Sequence, residues 1–342
     1  MKAMVIERYS EQLQLRDLPD LEPGPQDVVV RVRSNGICAT DLKMIDGLVS
    51  TVTLPHILGH ETAGEVTSLG HEVRGLSIGD HVTVYPTHGC GYCDACRTGF
   101  ENHCLDAPRT GFEIDGGYSQ YLVTRGRNAI KIDSSVPFEE ASVLPDAVAA
   151  PYHGLVQQAR VIGGETVVVV GVGGLGIHAV QIALIMGARV IAVDVTEDKL
   201  KAAEEFGAES VLAGGDDSPS SQVKALTDGK GADIVVECVG GEGVSGILDD
   251  CIKCLKLGGR LVVLGYAYGQ PLSVDSAELI YGQWSILGSR ASTLQDVVEV
   301  VKLTESGRLK PVVTQRFPLE KANEALDMLR NSSPLGRIVL TS

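Results

Sequence analysis

Four cysteines fall within fifteen residues, as Cys90-x2-Cys93-x2-Cys96-x7-Cys104 in a glycine-rich stretch. Four thiolates at such short spacing suit a closed tetrahedral zinc ion, which would fold a segment holding few apolar residues of its own. Two disulfides or an iron–sulfur cluster are the alternatives. The N-terminus, Met1 to Arg8, has no apolar stretch of signal-peptide length, so a cytoplasmic setting is expected, where metal comes before disulfide. With no coordination position left open, such an ion holds structure and does no chemistry.

A second set of donors is dispersed. Cys38 stands in Gly36-Ile37-Cys38-Ala39-Thr40-Asp41, and His60 and Glu61 stand in Gly59-His60-Glu61. A thiolate, an imidazole and carboxylates can hold zinc and leave one position open for an alcohol oxygen. Taken singly, a cysteine after a β run reads as core and a His-Glu pair as surface.

Gly171-Val172-Gly173-Gly174-Leu175-Gly176 is G-x-G-x-x-G, placed directly after Val167-Val168-Val169-Val170 and opening a helical stretch. The first glycine permits the turn, the second lets backbone approach a pyrophosphate, and the third lets helix and strand pack closely. A second apolar strand, Arg189 to Val193, ends in Asp194, 18 residues after Gly176. That carboxylate is placed to accept from both ribose hydroxyls, which favours NAD over a 2′-phosphate. An ordinary strand-end or turn role for Asp194 is the alternative.

These groups need two kinds of scaffold. Residues 1 to about 145 read as short β-branched runs punctuated by Gly, Pro and Asp, including Asp27 to Arg33, Gly64 to Ser68 and Asp80 to Tyr85. From about Ala141 the texture changes. Strands at Glu165 to Val170, Arg189 to Val193, Asp233 to Glu237, Arg260 to Leu264 and Trp284 to Leu287 alternate with helices such as Leu175 to Met186 and Asp198 to Phe206. Alternation of this kind predicts a parallel sheet covered on both faces. The 342 residues suit about two domains, and 29 basic against 44 acidic residues give a formal charge of −15. That acidity excludes nonspecific binding to nucleic acid or anionic membrane. The segment Thr166 to Ala188 lacks charged residues but is broken by glycines, so it reads as strand, turn and helix rather than a membrane span.

In order, the chain carries C-x-[ST]-D at Cys38-Thr40-Asp41, G-H-E at Gly59-His60-Glu61, the four-cysteine lobe and the G-x-G-x-x-G turn. With that set it resembles, over nearly its whole length, the zinc-dependent medium-chain alcohol dehydrogenases. The resemblance implies an α/β protein: a GroES-like β-barrel catalytic domain over 1–147 and 289–342, with a zinc lobe near 88–106, interrupted by a Rossmann domain over 148–288. It implies two zinc ions per subunit, NAD, a small alcohol or carbonyl substrate, and a homodimer or homotetramer. Cys38 and His60 would bind the catalytic zinc with Glu61 as an exchangeable ligand. Counting 25 residues back from Gly171, where relatives carry a third donor, reaches Asp146; capping the following helix is the alternative. Thr40 would share the alcohol proton and Asp41 would orient His60, or both would serve packing or the turn. Lys199 joins Asp194 and the fingerprint as a cofactor contact, and Arg337 would pair with the pyrophosphate or lie exposed on the surface. Lys43 stands where many relatives have a histidine that carries the proton onward, and an ammonium with a pKa near ~10.4 is a poor relay.

Cys251 and Cys254 read as packing on a helix, His153 as packing or pocket wall, and Trp284 as core or subunit interface. The leading reading is oxidation of a secondary or cyclic alcohol. Polyol, amino-acid or hydroxyacyl-CoA dehydrogenases on the same scaffold, a zinc-free enoyl or quinone reductase, and a non-catalytic dinucleotide-binding protein are the rivals.

Overall fold

Val28, Val30 and Val32 alternate along the strand Asp27–Ile37 and are buried with Val66, Val82, Val84 and Leu122 in one apolar cluster. A period of two with β-branched residues on the inner face is what a half-buried sheet selects, at ~1.5–3 kcal/mol for each fully buried valine. The computed structural model describes residues 1–342 except Gly215, Asp216, Glu242, Gly243 and Ser333. The chain divides into two units, Met1–Ala149 with Ser292–Ser342, and Ala150–Ala291.

In the first unit the long strand Asp27–Ile37 is the hub. It pairs antiparallel with Glu61–Leu69, with Tyr121–Arg125 and, at its C-terminal end, with Arg337–Thr341. His81–Val84, Ala129–Lys131 and Val313–Pro318 complete the seven-stranded sheet. A three-stranded sheet, Gln14–Asp17, Lys2–Ile6 and His56–Ile57, packs its apolar side into a second cluster with Ile37, Met44, Tyr118 and Leu326.

The second unit is a six-stranded sheet with every pairing parallel, in the order Glu209–Leu212, Arg189–Asp194, Thr166–Val170, Ala232–Glu237, Leu255–Val263 and Ser285–Gly288. Strand order reverses at Thr166–Val170, so the glycine turn that follows it stands at the switch point where doubly wound folds bind ligands. Two elements differ from the sequence reading. Glu209–Leu212 was not anticipated, since four residues carry too little periodicity. The strand expected from Arg260 begins at Leu255, and a register shift between Ala232 and Ile234 accommodates the extra length. Cys254 therefore lies just past the helix Val244–Lys253, buried with Cys251 in the core of this unit. Among the described residues no helix is long and apolar enough to cross a membrane.

Candidate active site

Strand register assembles the dispersed donors. Gly36 pairs with Glu61 and Ile37 with Ile338, so the residues just beyond these pairs, Cys38, His60 and Arg337, meet at one end of the sheet. Gly36 has to be glycine: a Cβ there would stand 1.9 Å from Glu61 Oε2. Cys38 begins the helix Ala39–Ile45, and Asp41 Oδ2 reaches back to accept from the Cys38 N–H at 2.8 Å. Thr40 is half-buried in the first turn of that helix.

Asp146 arrives from another element, the π-helical turn Leu144–Val148. One extra residue per turn re-aims side chains locally, a device frequent at functional sites. The capping alternative does not describe this residue, since it lies inside a continuous helical run and its Oδ2 lies 3.6 Å from Cys38 Sγ and 3.8 Å from His60 Nε2.

One donor atom from each of Cys38, His60, Glu61 and Asp146 lies within 4.8 Å of the others. The Arg337 guanidinium lies among them and donates to Glu61 Oε1 at 2.7 Å, to Asp146 Oδ2 at 3.1 Å and to Cys38 Sγ at 3.7 Å. Glu61 Oε2 is buried with no hydrogen-bond partner among the described residues. An orphaned carboxylate oxygen beside soft and hard donors fits a divalent cation, zinc above all.

The proton affinities follow this crowding. Burial works against a charge on His60, but the carboxylates of Asp41 and Asp146 outweigh it and hold the imidazole well above its usual value. Glu61 is pushed up to about 8 by burial, against the pull of Arg337. The neighbouring Asp146 carboxylate adds to the upward push. For Asp146 the balance tips the other way: burial pushes up, and His60 and Arg337 hold it below the usual carboxylate range.

The four-cysteine lobe closes on itself. The sulfurs of Cys90, Cys93, Cys96 and Cys104 lie within 4.8 Å of one another as free thiols. Cys93 N–H donates to Cys90 Sγ at 3.4 Å, Cys96 N–H to Cys93 Sγ at 3.5 Å, and Arg125 and Arg127 tie down the Gly89 carbonyl. Backbone N–H groups of Tyr92 and Cys93 draw Cys90 down to about 6, whereas burial pushes Cys96 up to about 12. Four sulfurs this close ionise together only around a cation, and the donor set fits zinc.

In the second unit, Gly171 has φ +87°, and a Cβ on Gly176 would stand 1.8 Å from the Gly171 carbonyl oxygen, so helix Gly176–Ile185 can start only on glycine. Gly173, Gly174 and Leu175 are half-exposed, and no side-chain cap is described at this helix N-terminus, which suits an anion. Asp194 Oδ2 accepts from Val172 N–H at 2.7 Å and Oδ1 from Thr196 N–H at 3.0 Å, with Lys199 Nζ at 3.9 Å. Each oxygen keeps a lone pair for a further donor.

The Zinc-binding dehydrogenase family model matches residues 174–306, and the Alcohol dehydrogenase GroES-like domain matches residues 24–134. The chain is 35% identical to the NAD-dependent alcohol dehydrogenase of Sulfurisphaera tokodaii, over 99% of both chains. This chain belongs to the zinc-dependent medium-chain alcohol dehydrogenases. It is an oxidoreductase of that family, and the Aeropyrum pernix alcohol dehydrogenase superposes on it with a TM-score of 0.93 at 34% identity, covering all of both chains. The Acryloyl-coenzyme A reductase of Metallosphaera sedula is 30% identical over the full length of both.

Within this dehydrogenase the sequence motifs missed two aromatics, one bonded to Asp41 and one against His60. Tyr118 donates its hydroxyl to Asp41 at 3.0 Å, and burial holds that phenol well above its usual value. Phe112 lies against the imidazole with ring centroids 5.0 Å apart, and the Arg109 guanidinium covers Phe112 at 4.0 Å. Both are isolated aromatics with no spacing to mark them. Arg337, expected at the pyrophosphate or on the surface, is buried with its guanidinium bonded to Glu61 and Asp146. His153 is buried with its Nε2 3.1 Å from Gln158, and Trp284 donates to the Lys256 carbonyl at 2.9 Å beside the core of its unit.

Proposed function

We propose that the protein is a zinc-dependent dehydrogenase that interconverts a secondary or cyclic alcohol and its carbonyl with NAD. The observation that carries this reading is the convergence of Cys38, His60, Glu61 and Asp146 within 4.8 Å around an unbonded carboxylate oxygen. Zinc held there would supply Lewis acidity toward the substrate oxygen, and NAD would supply the hydride acceptor or donor. Cys38, His60 and Asp146 are the firm donors. Arg337 engages Glu61 Oε1 and leaves Oε2 available, which suits an exchangeable ligand. Asp41 Oδ1 stands 3.4 Å from His60 Nδ1, placed to orient the ring through its second nitrogen. Thr40, two residues from Cys38, takes a share of the alcohol proton.

In the second unit Gly171, Gly173, Gly174, Leu175 and Gly176 would receive the pyrophosphate, Asp194 the ribose hydroxyls, and Lys199 would neighbour the same sugar. Cys90, Cys93, Cys96 and Cys104 would hold a structural zinc. Ser285–Gly288 is an edge strand, with Ile280 and Tyr281 exposed in the preceding helix Ser276–Gly282, which supports assembly into a homodimer or homotetramer; light scattering measures it.

The Metallosphaera relative favours a second reading, reduction of an unsaturated acyl thioester by a reduced nicotinamide. A panel of secondary, cyclic, primary and polyol alcohols, hydroxyacyl thioesters and acryloyl thioester, followed by NADH absorbance, separates the two. Turnover of alcohols that is lost with the zinc at Cys38 supports the first; turnover of the enoyl thioester alone overturns it.

A further inference from the structure

We infer that Tyr118 is a positioning residue for the metal donors: its hydroxyl, acting through Asp41, holds the Cys38 backbone and the His60 ring in ligating position. Asp41 Oδ2 receives two donors, the Tyr118 hydroxyl at 3.0 Å and the Cys38 N–H at 2.8 Å. Its other oxygen, Oδ1, stands 3.4 Å from His60 Nδ1, and neither of these two buried atoms has a hydrogen-bond partner among the described residues. The carboxylate is thus anchored on one oxygen and aimed with the other. Two of the three bodies it links carry donors to the proposed zinc.

Tyr118 is itself immobilised. Its N–H donates to the Leu58 carbonyl at 2.9 Å, its carbonyl accepts from Met4 N–H at 2.8 Å, and its ring is fully buried in the core shared by Ile37, Met44 and Leu58. The ring therefore packs beside the segment that carries His60 while the hydroxyl reaches the helix turn that begins at Cys38. Without that hydroxyl, Asp41 keeps only the Cys38 N–H on Oδ2 and loses the donor that ties its carboxylate to the Tyr118 ring. A fully buried carboxylate that loses one of two donors loses orientation as well as solvation. The inference rests on the zinc reading above, and its test reads the metal rather than turnover.

Tyr118→Phe removes one oxygen and keeps the packing. Zinc release from the holoenzyme into a chromogenic chelator, with the four-cysteine ion as internal reference, should accelerate ~10-fold at the Cys38 group, the lower end of what losses behind a ligand cost. Cobalt exchanged into that group should show a shifted visible ligand-field spectrum. Because Tyr118 acts through Asp41, the double variant Tyr118→Phe/Asp41→Asn should release zinc no faster than Asp41→Asn alone. Unchanged release and an unchanged cobalt spectrum in Tyr118→Phe, whether or not its Tm falls, would overturn the assignment, as would additive losses in the double variant. An unmodified enzyme with zinc only in the four-cysteine lobe would overturn the zinc reading and the role of Tyr118 together.

Discussion

Arg337 and Glu61 form a buried ion pair at the floor of the donor group, with Arg337 Nη2 2.7 Å and Nε 3.1 Å from Glu61 Oε1. Both residues are all but fully buried, and Oε2 of the same carboxylate is left unbonded. Removing one member of such a pair leaves an uncompensated charge, at a cost of about 3–5 kcal/mol. Above about pH 8, where Glu61 is ionised, Arg337→Met should cost that much in zinc-free protein and less in zinc-loaded protein, where the ion supplies the missing positive charge. Denaturant unfolding with and without chelator measures both. Equal losses in the two forms would mean that the cation does not reach Glu61.

In the proposed function Asp194 sets the cofactor preference. Asp194→Asn removes the charge and keeps one acceptor oxygen, enough for the N–H of Val172 or of Thr196 but not for both, and it weakens the attraction to Lys199, 3.9 Å away. The ratio of kcat/KM for NAD over NADP should fall by ~10-fold or more, the effect of removing one repulsive charge of ~1.4 kcal/mol. An unchanged ratio would take Asp194 away from the ribose.

The four-cysteine lobe is expected to act on stability alone. Cys104→Ser should remove one zinc ion and lower Tm by roughly 5–10 °C, equivalent to ~2–3 kcal/mol in a domain of this size. Zinc at Cys38 should remain. Elemental analysis beside a thermal melt reads both, and loss of both ions together would join the two sites.

Glu113 braces the outer face of His60. Its Oε1 accepts from Arg109 Nη2 at 2.6 Å and its Oε2 from Arg109 Nε at 3.1 Å, so Arg109 is held over Phe112 and Phe112 against the imidazole. Burial pushes the Glu113 carboxyl up, but Arg109 and Thr51 outweigh it and hold it below its ordinary value of 4.5. A depressed carboxylate stabilises the fold above its unfolded pKa, and that contribution is lost as pH falls through the folded value. Hydrogen exchange over residues 109–116, taken relative to the intrinsic amide rate at each pH, should therefore stay constant from pH 6 to 9 and quicken only below about 4.5. In Glu113→Gln it should be fast throughout. Exchange that quickens near neutrality would assign the control to another group.

Much of this site is legible in the chain, and the remainder is not, for physical reasons. Cys38, His60 and Glu61 announce themselves by residue type, yet their meeting depends on the Gly36–Glu61 register, a long-range pairing that no local motif encodes. Asp146 can be counted to from Gly171, whereas the π turn that aims it is hidden, because Leu144-Pro145-Asp146 reads equally as an ordinary helix start. Tyr118 and Phe112 work through distance alone. In the second unit the glycine turn and four of the six strands follow from pattern, while Glu209–Leu212 and the early start of Leu255–Val263 are set by their neighbours in the sheet.

The central claim, that Asp146 completes a catalytic zinc site with Cys38 and His60, is tested most directly by zinc stoichiometry in Asp146→Ala. The unmodified enzyme should hold two zinc ions per chain. The variant should hold one, in the four-cysteine lobe, with alcohol turnover down by at least ~10–100-fold and NAD binding intact. Two zinc ions and near-normal kcat in Asp146→Ala would contradict the account.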